Sequence, residues 1–316
     1  MAARKTPYDT LPEIKVGARP KVLLVGNGIN LSFPGAASPD EIIQNEWKAH
    51  YGFLLPSRND KANVHEIWKL PLPLQVVAAT KDHVQGCMTM LAKKYQNMDV
   101  SPEQKGFIQH IVDMGFDTIL STNYSLEFEK STIADCSPGK VQKRYITTQE
   151  QTPQQKQFGI YQCTELPDAK KTALWHIHGT AFRQNSLVMG QLYYGKLLSE
   201  VITRANYVNG GYRRTNNQNK PFYPKSWIDY YLIGDLHIFG FGYDLSETDL
   251  WWLLSYKRSA FPDSNIFYYE PNVHAEKKLM LSCYGVIMPK IPFDPSEKDC
   301  YIKYYERVCE AIKHVI

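Results

Sequence analysis

The chain reads as an α/β protein built on a doubly wound, mostly parallel sheet. Three observations predict this. Short, largely apolar runs at 22–25, 116–120 and 236–239 show no strict alternation of apolar and polar residues, which suits strands covered on both faces. Each run gives way to glycine or small polar residues, as buried strands do where they leave a sheet beside a crevice. Between the first two runs lies an amphipathic helix pattern, so the order strand–helix–strand recurs.

Taken in order, residues 1–20 are polar, with Pro7, Pro12 and Pro20, and are expected to form an arm that packs late or not at all. Residues 21–30 supply the first strand and its turn. The segment 38–100, rich in Trp, His, Pro and Lys, is expected to be a helical insertion with helices over 39–51 and 76–95. Ser101-Pro102-Glu103-Gln104 is a clearer start: Ser can cap, Pro suits the first helical position, and Gln104 can complete a capping box. Phe107, Ile108, Ile111 and Val112 then share a face, Gly115 closes the helix, and the strand 116–120 delivers Asn123. Residues 131–172, with a glutamine-rich tract, and 185–230 read as two excursions from the sheet. In the second, 193–207 is helical, and 206–220, rich in Asn, Gly and Arg, is expected to be a mobile surface loop. The last third returns to the α/β pattern. Ser246 is expected to cap a helix anchored by Leu250, Trp251, Leu253 and Leu254. A strand over 266–270 ends in Glu270, a final strand covers 285–288, and a closing helix aligns Ile302, Tyr305, Cys309, Ile312 and Ile316. A single domain spanning 1–316 is expected.

Composition narrows the function. At 316 residues and 43% hydrophobic, the chain can bury a sizeable core. No apolar stretch reaches membrane-spanning length, so no membrane partner is expected. The opening Met1-Ala2-Ala3-Arg4-Lys5 lacks the apolar core of a signal peptide, and a cytoplasmic location is expected. A net charge of +4, with both signs mixed along the chain, gives no reason to expect direct nucleic-acid binding. The six cysteines are scattered without a CxxC pair, which argues against structural zinc and suits a reducing compartment. His176 and His178 share a strand face, but no Cys or acid stands at a matching spacing, and no metal is expected.

Three strand ends carry residues with chemical use. In Gly26-Asn27-Gly28-Ile29-Asn30, glycine lets backbone approach a pyrophosphate or ribose, although Leu31 occupies the third glycine position of a dinucleotide fingerprint and turn geometry explains the glycines as well. Asn123, in Thr122-Asn123-Tyr124, would aim an amide into the crevice, while Asn is also a common turn residue. His178 titrates near neutrality and can serve as a base, Gly179 leaves space beside it, and a histidine hydrogen-bonded near the core is the plainer alternative. Each signal is weak alone; together they would face one cavity.

In this order the glycine–polar–glycine turn, Thr122-Asn123-Tyr124, His178-Gly179 and Gly242-Tyr243-Asp244-Leu245-Ser246 make the chain resemble sirtuin-like proteins. In particular it resembles the bacterial sirtuin-like NAD hydrolases that act as effectors of anti-phage defence. The resemblance spans roughly residues 21–288 and implies a sirtuin-like, Rossmann-like sheet with NAD⁺ as substrate. It makes Asn123 and His178 the catalytic pair beside the nicotinamide-side ribose. Gly26, Asn27, Gly28, Asn30, Thr122 and Gly179 would line the phosphate turn and ribose. Gly242, Tyr243, Asp244 and Ser246 would approach the pyrophosphate and adenosine half, with Glu270 at the adenine-side ribose. Tyr243 and Asp244 depart from the small hydroxyl residues of the deacylases. The paired CxxC zinc module and the Pro–acidic–Phe–Arg loop are absent; only Phe33-Pro34-Gly35 lies in that region. Both departures weigh against an acyl-lysine substrate.

The expected activity is therefore hydrolysis of NAD⁺ to nicotinamide and ADP-ribose by an abortive-infection effector. It would be gated by homo-oligomerisation or by a regulatory partner such as an ATPase or an Argonaute-like subunit. A protein deacylase or ADP-ribosyltransferase, and a catalytically silent nucleotide sensor, are the alternatives.

Overall fold

The computed structural model describes residues 9–34, 40–57, 60, 65–81 and 83–314. Among the described residues seven strands, β1 (Lys21–Val25), β2 (Thr118–Ser121), β3 (Tyr145–Thr147), β4 (Gln162–Glu165), β5 (Ala173–His176), β6 (Asp235–Phe239) and β7 (Ile266–Tyr269), form one sheet in the order β3-β4-β5-β2-β1-β6-β7. β5, β2, β1, β6 and β7 are parallel, and β4 and β3 extend this block antiparallel at one edge. The chain runs outward from β1 through β2 to one side, then returns to the other side of β1 at β6. That reversal at β1 is the switch point at which open α/β sheets bind ligands. The architecture is a Rossmann-like α/β fold.

The register explains why distant segments meet. Val25 pairs with Ser121 and Phe239, and Ser121 pairs with His176, so four strands end level with one another. The residues that follow, 26–28, 122–123, 177–178 and 240–242, therefore leave the sheet along one edge.

The two faces of β1 account for its unbroken apolar run. Val22 and Leu24 enter one core, under the helices Gln191–Asn217, Trp227–Ile233 and Thr248–Ala260. Leu23 and Val25 enter the other, under Pro102–Asp113 and Cys300–Lys313. Successive strand side chains point to opposite faces, and here both faces are covered, so every position of 22–25 is apolar and fully buried. A third, smaller core joins the helices Leu72–Thr80 and Val84–Asn97 to Leu126, Leu187 and Met189, seating the helical insertion over loops that leave β2 and β5.

Several local expectations are corrected. The helix expected over 76–95 is two, broken at Lys81, whose φ of 48° is left-handed. Ser101 does cap its helix, accepting from Gln104 N at 3.1 Å, but the Gln104 side chain donates to Asn30 Oδ1 at 2.9 Å instead of closing a box. The expected loop at 206–220 is largely helical, because the helix from Gln191 continues to Asn217. Tyr212 packs there edge-on against Phe222, so tertiary contacts override the local Asn/Gly content. Ser246 does not cap: the helix starts at Thr248 after Glu247. Only an isolated bridge, Phe267 to Ile287, stands where a strand was expected at 285–288. Residues 1–8 of the expected arm, Gly35, Pro39 and Ile316 lie outside the described residues. Among the described residues, no helix is long and apolar enough to cross a membrane.

Candidate active site

A cavity of about 700 Å³ lies against the carboxyl ends of the parallel strands. It is lined from β1 by Asn27, Gly28 and Leu31, from β2 by Thr122 to Ser125, and from β5 by His178. The turn after β6 contributes Gly240 to Asp244 and Glu247, and β7 contributes Glu270. Asn123 and His178, 55 positions apart in sequence, share this cavity.

Asn123 is held by its side chain and by its backbone, whose N–H donates to Ser121 Oγ at 3.1 Å. Its Nδ2 donates to Glu127 Oε1 at 2.6 Å, and its backbone carbonyl lies 3.0 Å from His176 Nδ1. An ionised carboxylate only accepts, so Glu127 fixes which way the amide is turned. The amide oxygen, Oδ1, is left without a partner among the described residues. Glu127 is itself 1% exposed, and its other oxygen accepts from Ser125 Oγ at 2.6 Å. Burial raises its pKa, while the bonds from Ser125 and Asn123 oppose the rise. His176, which spacing alone could not separate from His178, turns out to be a support. Its Nε2 meets Glu129 Oε1 at 2.8 Å, and although burial disfavours its charge, Glu129 prevails and raises its pKa.

His178 stands between two carboxylates: Nε2 is 3.0 Å from Asp249 Oδ2, and Nδ1 is 3.5 Å from Glu247 Oε2. Burial presses its pKa down, but the charge of Asp249, then that of Glu247, and the Asp249 hydrogen bond outweigh it and lift the group to about 9. The imidazole offered by the sequence as a base therefore holds its proton at neutral pH. Burial in turn raises Glu247 to about 7, with His178 opposing. Tyr194 packs edge-on against His178 and donates to Glu247 Oε2 at 3.4 Å. Among the described residues, His178, Glu247 and Asp249 also form a set whose ligand atoms lie within 4.8 Å of one another. The two carboxylates engage different ring nitrogens, an arrangement that an ion-paired imidazolium explains fully.

The expected cofactor-binding residues divide. Asn27, Gly28, Thr122, Gly242, Tyr243, Asp244 and Glu270 line the cavity; Gly26, Asn30, Gly179 and Ser246 do not. Gly26 and Gly28 are glycines because the turn after β1 presses on the turn after β6. A Cβ at either would come within 2.8 Å of the Gly240 carbonyl, and Gly28 N donates to that oxygen at 2.7 Å. Asn30 bonds to Asn27, Ser125 and Gln104, tying β1 to β2 and the helix Pro102–Asp113. Gly179 leaves no space for a ligand: with φ of 93°, its absent Cβ would lie 2.1 Å from Ser186 O. Tyr243, although it touches the cavity, is buried with its hydroxyl 2.8 Å from that of Tyr231, so the hydroxyl is engaged in the core.

Glu127, Glu247 and Asp249 are the site residues that the sequence reading omits. One signal could have raised them: all three are acids within ten residues of the carboxyl end of a strand that borders the cavity. No protein-family model matches the chain, and no curated protein matches it.

Proposed function

We propose that this chain is an NAD⁺ glycohydrolase, cleaving NAD⁺ to nicotinamide and ADP-ribose. The observation that carries the reading is the convergence of Asn123 and His178 on one cavity, bordered by the glycine turns of β1 and β6 at the sheet's switch point. Its volume of about 700 Å³ falls within the range of ligand clefts, roughly 300–1,000 Å³.

The chemistry suits these residues. Cleavage of the bond between ribose and the cationic nicotinamide ring builds oxocarbenium character on the sugar, which preorganised negative charge stabilises. Glu247, His178 and Asp249 together carry a net charge of −1 when Glu247 is ionised. The unpartnered Asn123 oxygen can accept from a ribose hydroxyl or from the attacking water without titrating, held by Glu127. His178 keeps the two carboxylates together as a buried cation. The exposed backbone of Gly242, where an added Cβ would meet nothing within 4 Å, leaves room for the phosphates.

The resemblance sets this activity in anti-phage defence, where depletion of the cofactor pool is toxic and self-assembly or a partner protein gates it. The test is nicotinamide release by the purified chain, alone and with its genomic neighbours. Asn123→Ala and His178→Ala should each lower release by about 10²-fold or more while the circular dichroism spectrum is retained, because each removes a group that positions the reacting atoms. Full activity in either variant would remove the assignment.

A further inference from the structure

With both nitrogens of His178 facing carboxylates, hydrolysis needs another group to take the proton of the attacking water. Four carboxylates stand at or beside the cavity wall, and their surroundings separate them. Glu127 is 1% exposed, with one oxygen bonded to Asn123 and the other to Ser125. Asp244 is exposed, and its Oδ1 accepts from Ser246 N at 2.9 Å within its own turn. Glu270 lies at the end of β7, beyond β6 from the Asn123 and His178 strands. Glu247 differs from all three. It lines the cavity beside His178, and its side chain is 16% exposed while those of His178 and Asp249 are 2% and 0% exposed. Its Oε2 faces His178 Nδ1 and the Tyr194 hydroxyl, and no hydrogen bond engages Oε1 among the described residues.

We infer that Glu247 is the catalytic base of this cavity, with Oε1 taking a proton from the water that attacks the anomeric carbon. The inference rests on the hydrolase reading above and names the group that reading left open. In the step, the water oxygen bonds to the anomeric carbon as the carbon–nitrogen bond to nicotinamide breaks. The bonding pair leaves with the ring nitrogen, which loses its positive charge, and the water's proton passes to Glu247 and then to solvent. His178 and Asp249, behind Glu247, act as positioning residues: Asp249 holds Nε2, and the imidazolium holds Oε2. Its titration range supports the assignment, since a base works best when its pKa lies near the operating pH. The charged and titratable groups facing it are His178, Asp249, Asp244, Tyr194 and Tyr124.

The experiment compares wild type, Glu247→Gln and Glu247→Asp in nicotinamide release across pH 5–9, with and without sodium azide. Azide attacks as an anion and needs no base. Glu247→Gln should lower kcat by about 10²-fold or more with KM little changed, and should lose the acid limb of the pH profile. Azide should restore its turnover and yield ADP-ribosyl azide, and should not rescue Asn123→Ala. Glu247→Asp should retain the acid limb. If wild type releases nicotinamide while Glu247→Gln keeps the wild-type kcat and acid limb, or gains nothing from azide, this inference alone is overturned. If wild type releases none in any condition, the hydrolase reading falls and this inference with it.

Discussion

The parallel sheet has a cavity at each end, and the two differ in everything except size. The carboxyl-end cavity measures about 700 Å³ and the amino-end one about 710 Å³. At the amino end, the walls come from residues 10–20, from Asp117 and Ala173, and from Lys170 and Lys171. Its charges sit in exposed pairs: Arg19 with Asp235, Lys170 with Asp117 at 3.6 Å, and Lys171 with Glu165 at 4.0 Å. At the carboxyl end, His178, Asp249, Glu127 and Asn123 are withdrawn from solvent and hydrogen-bonded to one another in pairs, with unpartnered oxygens left on Asn123 and Asp249. Volume does not distinguish a site. Polar groups held out of water in a fixed arrangement do, because desolvation must be offset by bonds at that spot, and such constellations cluster where chemistry occurs.

The sharpest way to break this comparison is to remove one charge from each end. Asp249→Ala should cost about 3 kcal/mol in urea unfolding, since it removes the nearer and fully buried partner of the His178 cation. Lys170→Ala, at a residue whose side chain is 54% exposed, should cost under about 1 kcal/mol. Similar losses at both ends would erase the distinction. Proton linkage sharpens it further. The folded pKa of His178 lies above its ordinary value of 6.5, at about 9, so the folded state holds the proton more tightly. That contribution is complete below pH 6.5 and is lost as pH rises through 9. The stability advantage of wild type over His178→Gln, followed by urea titration, should therefore shrink from pH 6.5 to 9.5. An advantage that grew with pH would contradict the ion pair. Ligand occupancy gives a smaller change than the loss of Asp249. NAD⁺ at a hundred times its Kd should stabilise wild type by about 2.7 kcal/mol in thermal unfolding. Gly242→Leu should abolish that shift without harming the fold, because its added atoms enter open space in the cavity wall.

What the sequence reveals depends on how local the cause is. The strands 22–25 and 236–239 are legible because burial on both faces leaves a mark on consecutive residues. Asn123, His178 and the glycine turns are legible because each directly follows such a strand. The bonding around them is not: Asp249 lies 71 positions from His178, and nothing in the spacing indicates that they meet. Gly179 shows the opposite error. Glycine suggests room for a ligand, whereas here it admits neighbouring backbone. The helix through 206–217 is hidden for a third reason, since Asn and Gly lower its intrinsic propensity and its packing partners, such as Phe222, lie beyond it in sequence.

The contact of Gly28 with Gly240 carries a practical consequence. It joins the first crossover of the fold to the last, so the floor of the cavity is a fastening between two halves of the chain. Bulkier residues at 26, 28 or 240 would pry those halves apart, and a mutational scan would record collapse at positions that a motif search assigns to the ligand. Tolerance to substitution, mapped around this floor, would trace the fastening and not the footprint of whatever binds above it.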